Sequence, residues 1–232
     1  MRALNFNFTI AELNQRADKL VISYKRDENE FKSYGYNGEA ISQIEGKTEF
    51  LKSLLSDDYY AGLQRMATDN KNQIRQDLET NISDFRNRSK LALGANSIEY
   101  SLFNFSKLNS LKDNELVQYV LHINTTAQPL LQQLSKRLIS QKTLDSLMQS
   151  REKLDDAIDM QSTAVSERRE KKVKRTQLAN ELYTFISELC EVGKLIWKGN
   201  NEAFYTDYVI YGSSKAIEEQ NDEMEELEYD QE

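Results

Sequence analysis

The stretch from residue 141 to residue 198 contains no proline and a single glycine, Gly193. Proline breaks a helix and glycine weakens it, so this stretch could form one helix, about 87 Å long at 1.5 Å per residue, although its continuity is open. The whole chain has one proline and eight glycines in 232 residues, fewer than many turns or strands would need. These features predict an all-α fold, an elongated antiparallel bundle of long helices.

Apolar residues recur at alternating spacings of three and four along most of the chain, as in amphipathic helices. Thr9 and Glu12 have the spacing of a capping box, which predicts a first helix over about residues 10–33. A second apolar stripe begins at Ile41. It either breaks near residue 56 or continues to residue 93, and Gly94 stands where a helix-ending glycine is expected.

The chain between the second and the last helical stripe is less regular. Residues 94–112 contain aromatic side chains without a helical period, which predicts a packed connection. A further helix is expected from about residue 114, and Pro129 either kinks it or begins a new turn.

Two short segments depart from the helical pattern. In residues 4–8, apolar side chains alternate with asparagines, and residues 207–211 are rich in β-forming types. One interpretation is a small two-stranded pairing between these segments, and the other is extended arms held in place by aromatic side chains. The predicted organisation is an N-terminal arm (1–9), a helical bundle (10–212) and an acidic C-terminal tail (213–232).

Charge is distributed unevenly along the chain. All 30 basic residues and 29 of the 38 acidic residues precede Glu218, so residues 1–217 carry a formal charge of +1 and residues 218–232 carry −9. Such a tail is typical of a disordered, solubilising segment. Because Met224, Leu227 and Tyr229 lie among the acids, docking into a basic, partly apolar groove is the alternative. The obvious complement is the basic segment Arg168–Arg175, on the same chain or on a neighbour.

Motifs for catalysis and metal binding are scarce. The single cysteine, Cys190, lies among apolar residues and predicts a buried core residue, and the single histidine, His122, is expected to be structural. Gly46-Lys47-Thr48 lacks the first glycine of a phosphate-binding loop. Asp155, Asp156 and Asp159 are typical of a solvated helix face rather than of a divalent-metal site. Neither a cofactor nor a small-molecule substrate is expected, and the net charge of −8 disfavours nucleic-acid binding.

The segment from Glu191 to Tyr211, EVGKLIWKGNNEAFYTDYVIY, is distinctive. It resembles a C-terminal signature of uncharacterised bacterial helical-bundle proteins, with further similarity back to Asn114. That resemblance implies a fold and no activity. Gly193 allows a close helix approach, Gly199 can end the helix, and five aromatic residues are predicted to form a clasp: Trp197, Phe204, Tyr205, Tyr208 and Tyr211. Packing within the chain and a partner-binding surface are the two interpretations of the clasp.

Long helices, uneven charge and scarce catalytic motifs predict a non-catalytic structural protein that associates with itself or with subunits of a larger complex. By analogy alone, a phage adaptor, ring or injection-machine component would have these features. A monomeric regulatory binding module is the alternative, followed by a carboxylate-based helical enzyme. No secretory signal or membrane span is recognisable, which predicts a cytoplasmic protein, incorporated into a phage particle under the virion hypothesis. The predicted partner-binding residues are Arg168, Arg169, Lys171, Lys172, Lys174, Arg175, Trp197, Phe204, Tyr205, Tyr208, Tyr211, Met224, Leu227 and Tyr229.

Overall fold

The computed structural model describes residues 3–210, and in that range it is all-α, which confirms the predicted fold class. Tyr211, Met224, Leu227, Tyr229 and the acidic tail lie outside the described residues. The α-helices are α1 (Ile10–Arg26), α2 (Glu28–Lys32), α3 (Gly38–Ser53), α4 (Asp57–Leu93), α5 (Ile98–Ser101), α6 (Asp113–Ala127), α7 (Leu131–Leu134), α8 (Gln141–Trp197) and α9 (Glu202–Thr206). Short 3-10 helices cover Phe105–Ser110, Gln128–Leu130 and Ser135–Arg137.

The first helix begins as predicted but ends earlier. The Thr9 hydroxyl accepts a hydrogen bond from the Glu12 amide at 3.2 Å, and the Glu12 carboxylate accepts one from the Thr9 amide at 2.7 Å. The predicted end near residue 33 is wrong, because α1 stops at Arg26. Asp27 leaves the helical conformation at φ −105° and ψ 21°, where its carboxylate is held by side chains near the C-terminal end of α8.

The remaining helix boundaries mostly follow the local sequence signals. The second stripe breaks near residue 56, into α3 and α4, and Gly94 ends α4 at φ 92°. Pro129 lies in a 3-10 turn after α6. The stretch after residue 140 forms one continuous helix, α8, of 57 residues.

Contacts divide the chain into two compact units, and the single bundle predicted for residues 10–212 stays a prediction. Among the described residues, unit 1 comprises 3–56 and 170–210. In unit 1, α1 and α3 run in opposite directions, since Lys52 pairs with Asp18 and Lys25 pairs with Glu45. The core of unit 1 consists of apolar side chains from α1, α3 and the second half of α8, including Leu13, Leu20, Ile44, Leu182, Ile186 and Leu189.

Unit 2 comprises residues 57–169 and has a separate core. Its buried side chains come from α4, α6, the first half of α8 and the aromatic connection after Gly94, including Leu78, Phe85, Phe103, Leu116, Ile123 and Leu154. Asp113, at the start of α6, pairs with Lys71 and Arg75 of α4. The connection predicted to be packed is therefore part of this core.

The N-terminal arm lies on α8, and residues 3–210 contain no β-strand. The pairing predicted between the arm and residues 207–211 is not confirmed. Instead, the side-chain oxygen of Asn180 accepts a hydrogen bond from the Asn5 amide at 2.9 Å, and its nitrogen donates to the Ala3 carbonyl at 3.0 Å. The rings of Phe6 and Phe8 lie 5.0 and 6.0 Å from that of Tyr183. These contacts support the other interpretation, an arm held by aromatic side chains.

Candidate interaction surfaces

The most densely bonded site of unit 1 surrounds the buried carboxylate of Asp27. This Asp27 cluster consists of Arg26, Asp27, Trp197, Phe204 and Tyr208. One carboxylate oxygen accepts hydrogen bonds from the Tyr208 hydroxyl at 2.6 Å, the Trp197 indole N–H at 2.9 Å and the Arg26 guanidinium at 2.7 Å. The other accepts a second bond from Arg26 at 2.7 Å. A buried charge with this many donors is satisfied within the chain.

Aromatic stacking completes the Asp27 cluster. The Arg26 guanidinium lies over the Phe204 ring, 3.6 Å from its centroid, and the Trp197 ring meets Phe204 edge-on at 4.9 Å. Arg26 also pairs with Asp207 at 2.7 Å. The segment after α8 is thereby held against the end of α1 by charge and stacking together.

The titration behaviour of the cluster follows from these bonds. Burial raises the pKa of Asp27, but the hydrogen bonds from Arg26, Tyr208 and Trp197 outweigh burial, and its net pKa lies below the usual value. Burial and the bond to Asp27 both raise the pKa of Tyr208. The hydrogen bond to Asp27 is the main reason why the pKa of Arg26 is raised. The cluster therefore keeps an ionised carboxylate beside a protonated phenol at neutral pH.

Gly193 makes the position of Tyr208 possible. A Cβ atom at residue 193 would lie 2.6 Å from Cε1 of Tyr208 and closer still to Cδ1 and Cγ. Gly193 therefore permits a close approach, as the sequence predicts. The group that approaches it is the Tyr208 ring, whereas the sequence predicts another helix. Gly199, at φ 75°, follows the end of α8, as predicted.

The structure brings three of the predicted clasp residues together, namely Trp197, Phe204 and Tyr208. Trp197 and Tyr208 donate to Asp27, Phe204 stacks against Trp197, and Tyr205 is half-buried in α9. Sequence reasoning missed Asp27 and Arg26. No local pattern marks Asp27, since Trp197 and Tyr208 lie 170 and 181 residues further along the chain.

The basic segment divides between the two units. In unit 2, Arg168 donates to the Asp57 carboxylate at 3.0 Å and to the Gln64 side chain at 3.1 Å, while Arg169 is exposed. In unit 1, Lys172 and Lys174 are exposed, and Lys171 and Arg175 are half-buried. Lys174 lies 5.8 Å from the centroid of the Phe50 ring. Arg168 thus has hydrogen-bond partners within unit 2, whereas Arg169, Lys172 and Lys174 are exposed.

Four large apolar side chains are exposed on neighbouring segments where α4 ends in unit 2. We call these side chains, Leu91, Ile98, Leu102 and Leu138, the end patch. Their exposed fractions are 67%, 78%, 53% and 79%. The three segments that carry them are adjacent, because α5 contacts α4 and the 3-10 turn Ser135–Arg137 also contacts α4. Arg137 further donates to the Leu91 carbonyl at 3.5 Å, and His122 donates to the Leu102 carbonyl at 2.9 Å.

Leu138 has an unusual backbone conformation. Its φ of 59° and ψ of 24° lie in the left-handed region. The Ile139 amide donates to the Leu134 carbonyl at 3.4 Å and the Leu138 amide donates to the Ser135 carbonyl at 3.0 Å. This pattern is a Schellman motif, whose left-handed position is usually glycine. A leucine there is strained, and its side chain points into solvent.

Cavities of unit 1 have polar groups in their linings. A surface groove of about 720 Å³ is lined mainly by polar side chains of the arm, α3 and α8, including Asn5, Lys47, Gln177, Asn180, Glu181 and Thr184. Asn180 holds the arm there, and Lys47 pairs with Glu181 at 3.3 Å. A smaller cavity of about 160 Å³ contains Cys190, which is buried as predicted. Among the described residues, no three His, Cys, Asp or Glu side chains are placed to hold a metal ion.

Within residues 3–210, no helix has an apolar stretch of the length that a bilayer span requires. The chain was also compared with family models, curated proteins and solved structures. None matches this chain.

Proposed function

We propose that this chain is a non-catalytic component of a protein assembly and that it associates through the end patch of unit 2. In the assembled state, the long helices would form the elongated antiparallel bundle expected from the sequence. Incorporation into a phage particle and a cytoplasmic location remain predictions from the sequence. The absence of enzymatic activity is part of the same proposal.

The single observation that carries the proposal is the exposure of four large apolar side chains on adjacent turns. Scattered exposed leucines are ordinary, but grouped ones favour a binding surface. Complete burial of a Leu or Ile side chain contributes about 1.5–3 kcal/mol, so burial of the exposed fractions of these four would contribute roughly 4–8 kcal/mol.

That gain is modest beside the cost of association, which is about 4–15 kcal/mol. One end patch alone therefore supports only weak binding. A symmetric contact between two copies buries two patches and doubles the gain, which favours association of the chain with itself.

The conformation of Leu138 supports the same proposal. A residue with a Cβ pays about 1–2 kcal/mol in the left-handed region, and glycine avoids this cost. Strained residues cluster at functional positions. The described residues leave the Leu138 side chain 79% exposed, so a partner that covered it would offset this cost.

The direct test is sedimentation equilibrium of the full chain from about 1 µM to about 1 mM, the range of weak association. We expect the mean mass to rise with concentration for the wild type and to stay at the monomer value for the double variant Ile98→Ser, Leu102→Ser. The control is Ile22→Ser, since Ile22 is 72% exposed on α1 of unit 1. This control should associate like the wild type. A wild type that stays monomeric throughout, or a patch variant that associates normally, would contradict the proposal.

A monomeric binding module is the second candidate, and the polar groove of unit 1 favours it. Such a module would take its partner into the groove lined by Asn5, Lys47 and Thr184 while the chain itself stayed monomeric. The same sedimentation experiment distinguishes the two candidates.

A further inference from the structure

Unit 1 has a group of surface cations with no carboxylate partner in the described part of the chain. Lys171, Lys174 and Arg175 are spaced three and four residues apart and share a face of α8, and Lys172 is adjacent to them. None of the four forms an ion pair within residues 3–210. A cluster of unpaired cations attracts an acidic segment.

Apolar side chains lie beside these cations. Val173, on the part of the helix surface between Lys172 and Lys174, is 39% exposed, and Phe50, which Lys174 approaches, is 46% exposed. We call Phe50 and residues 171–175 the basic surface. It combines positive charge with apolar area, whereas a solvated helix face would be polar throughout.

The C-terminal segment begins within reach of the basic surface. Val209 and Ile210 line a cavity together with Ile186 and Cys190, so the last described residues lie beside that part of α8. At 1.5 Å per residue, Arg175 and Lys171 lie about 17 and 23 Å from Ile186 along the helix. An extended chain covers about 3.3 Å per residue, so Glu218 can lie up to about 26 Å from Ile210.

The charges of the two segments also match in order. From Val192 towards its N-terminus, α8 carries three acids, Glu191, Glu188 and Glu181, and then the cations of residues 171–175. The C-terminal segment, followed forwards from Tyr211, contains no acid and one lysine, Lys215, before Glu218. Residues 218–232 contain nine acids, and Met224, Leu227 and Tyr229 lie among them. If the C-terminal segment ran back along α8, Lys215 would lie near the three acids of α8, and the acids of residues 218–232 would lie near its cations.

We propose that residues 218–232 bind the basic surface of unit 1 in the same chain, with the acids on the cations and the apolar side chains against Val173 and Phe50. This contact is separate from the association through the end patch, because it involves different residues and a different unit.

The test is paramagnetic relaxation enhancement in the full chain, with a nitroxide attached to Gln220→Cys. Gln220 is uncharged, so the label leaves all nine acids in place. Cys190 is buried and burial raises the pKa of its thiol to about 12, so the new cysteine reacts selectively. We expect the amide signals of residues 171–175 and of Phe50 to lose more than about half their intensity at about 0.1 M salt and to recover at about 1 M, where the Debye length falls to about 3 Å.

The critical variant carries Lys171→Gln, Lys172→Gln, Lys174→Gln and Arg175→Gln, and it should lose the signal broadening. A matched control carries Lys107→Gln, Lys136→Gln, Lys142→Gln and Lys153→Gln, four exposed cations of unit 2, and it should keep the broadening. Both variants remove four positive charges, so a difference in signal broadening between them cannot result from the change in net charge.

A mixture of spin-labelled, unenriched chains with isotope-enriched, unlabelled chains tests whether the contact is within one chain. No broadening of the enriched chains is expected. Broadening in the mixture would overturn the proposal by assigning the contact to a second copy, and absence of broadening in the labelled chain at low salt would overturn it altogether. Both chains of the mixture carry Ile98→Ser and Leu102→Ser, so association through the end patch does not contribute to the outcome.

Discussion

The Gly193→Ala substitution tests the packing of the Asp27 cluster, because we expect it to lower the free energy of unfolding, whereas Gly→Ala within a helix usually raises it. In the interior of a helix, Gly→Ala ordinarily stabilises by about 1 kcal/mol. At position 193 the new Cβ would overlap the Tyr208 ring, which is fully buried. The ring must then move away from both α8 and Asp27.

The magnitude follows from the contacts that this movement disturbs. Overpacking of a core costs about 1–3 kcal/mol. Loss of the hydrogen bond from Tyr208 to the Asp27 carboxylate costs about 1.5–3 kcal/mol more. After the gain in helix propensity is subtracted, we expect Gly193→Ala to destabilise unit 1 by about 1.5–5 kcal/mol.

The assay is urea unfolding followed by the fluorescence of Trp197, the single tryptophan, which donates to Asp27 within the cluster. Gly46→Ala is the matched control, since Gly46 lies in α3 of the same unit and a Cβ there would have no neighbour within 4 Å. This control should stabilise by about 1 kcal/mol. In a Tyr208→Ala background, Gly193→Ala should also become stabilising. If Gly193→Ala stabilises the wild type as the control does, the proposed packing of Tyr208 is wrong.

Two further predictions concern the buried groups of unit 1. The lowered pKa of Asp27 means that on acidification the unfolded chain takes up its proton first, so the stabilisation from this carboxylate is present above about pH 4 and is lost as pH falls through the lowered pKa. Asp27→Asn should therefore cost about 2 kcal/mol near neutral pH, and the difference from the wild type in urea unfolding should shrink below pH 4. Asp18→Asn, which removes an exposed ion pair with Lys52, should cost less than about 1 kcal/mol, and an equal cost for both variants would contradict the account. Because burial raises the pKa of Cys190 to about 12, its thiol should react with a disulfide reagent at pH 8 roughly 10³-fold more slowly than a free thiol and should accelerate in urea, whereas rapid reaction in the native protein would refute its burial.

Local features of the fold could be predicted from the sequence because each depends on neighbouring residues. Thr9 with Glu12 marks the start of α1, Gly94 marks the end of α4, and the scarcity of glycine and proline after residue 140 marks the continuous α8. The end of α1 could not be predicted in this way. The apolar period continues past Asp27, and the chain turns there because of side chains more than 160 residues away.

The candidate surfaces also combine features that the sequence predicts with features that only the fold reveals. The aromatic residues around Trp197 were recognisable from their types, but their common partner, Asp27, was not. The end patch had no sequence signal, because its four residues come from three segments that only the fold brings together. Leu138 in particular stands where turn rules favour glycine, so its local preference conflicts with its conformation.

The measurement that tests the central claim most directly is a paired one on Leu138→Gly, with thermal unfolding by circular dichroism and sedimentation equilibrium on the same sample. Removal of the left-handed strain should contribute about 1–2 kcal/mol, partly offset by the backbone entropy of glycine, so we expect a net stabilisation of about 0.5–1 kcal/mol. We also expect weaker association, because the end patch loses its most exposed side chain. A variant that is more stable yet less associated would support a leucine retained for binding. A variant that associates as strongly as the wild type would contradict the claim that the end patch joins this chain to its partners.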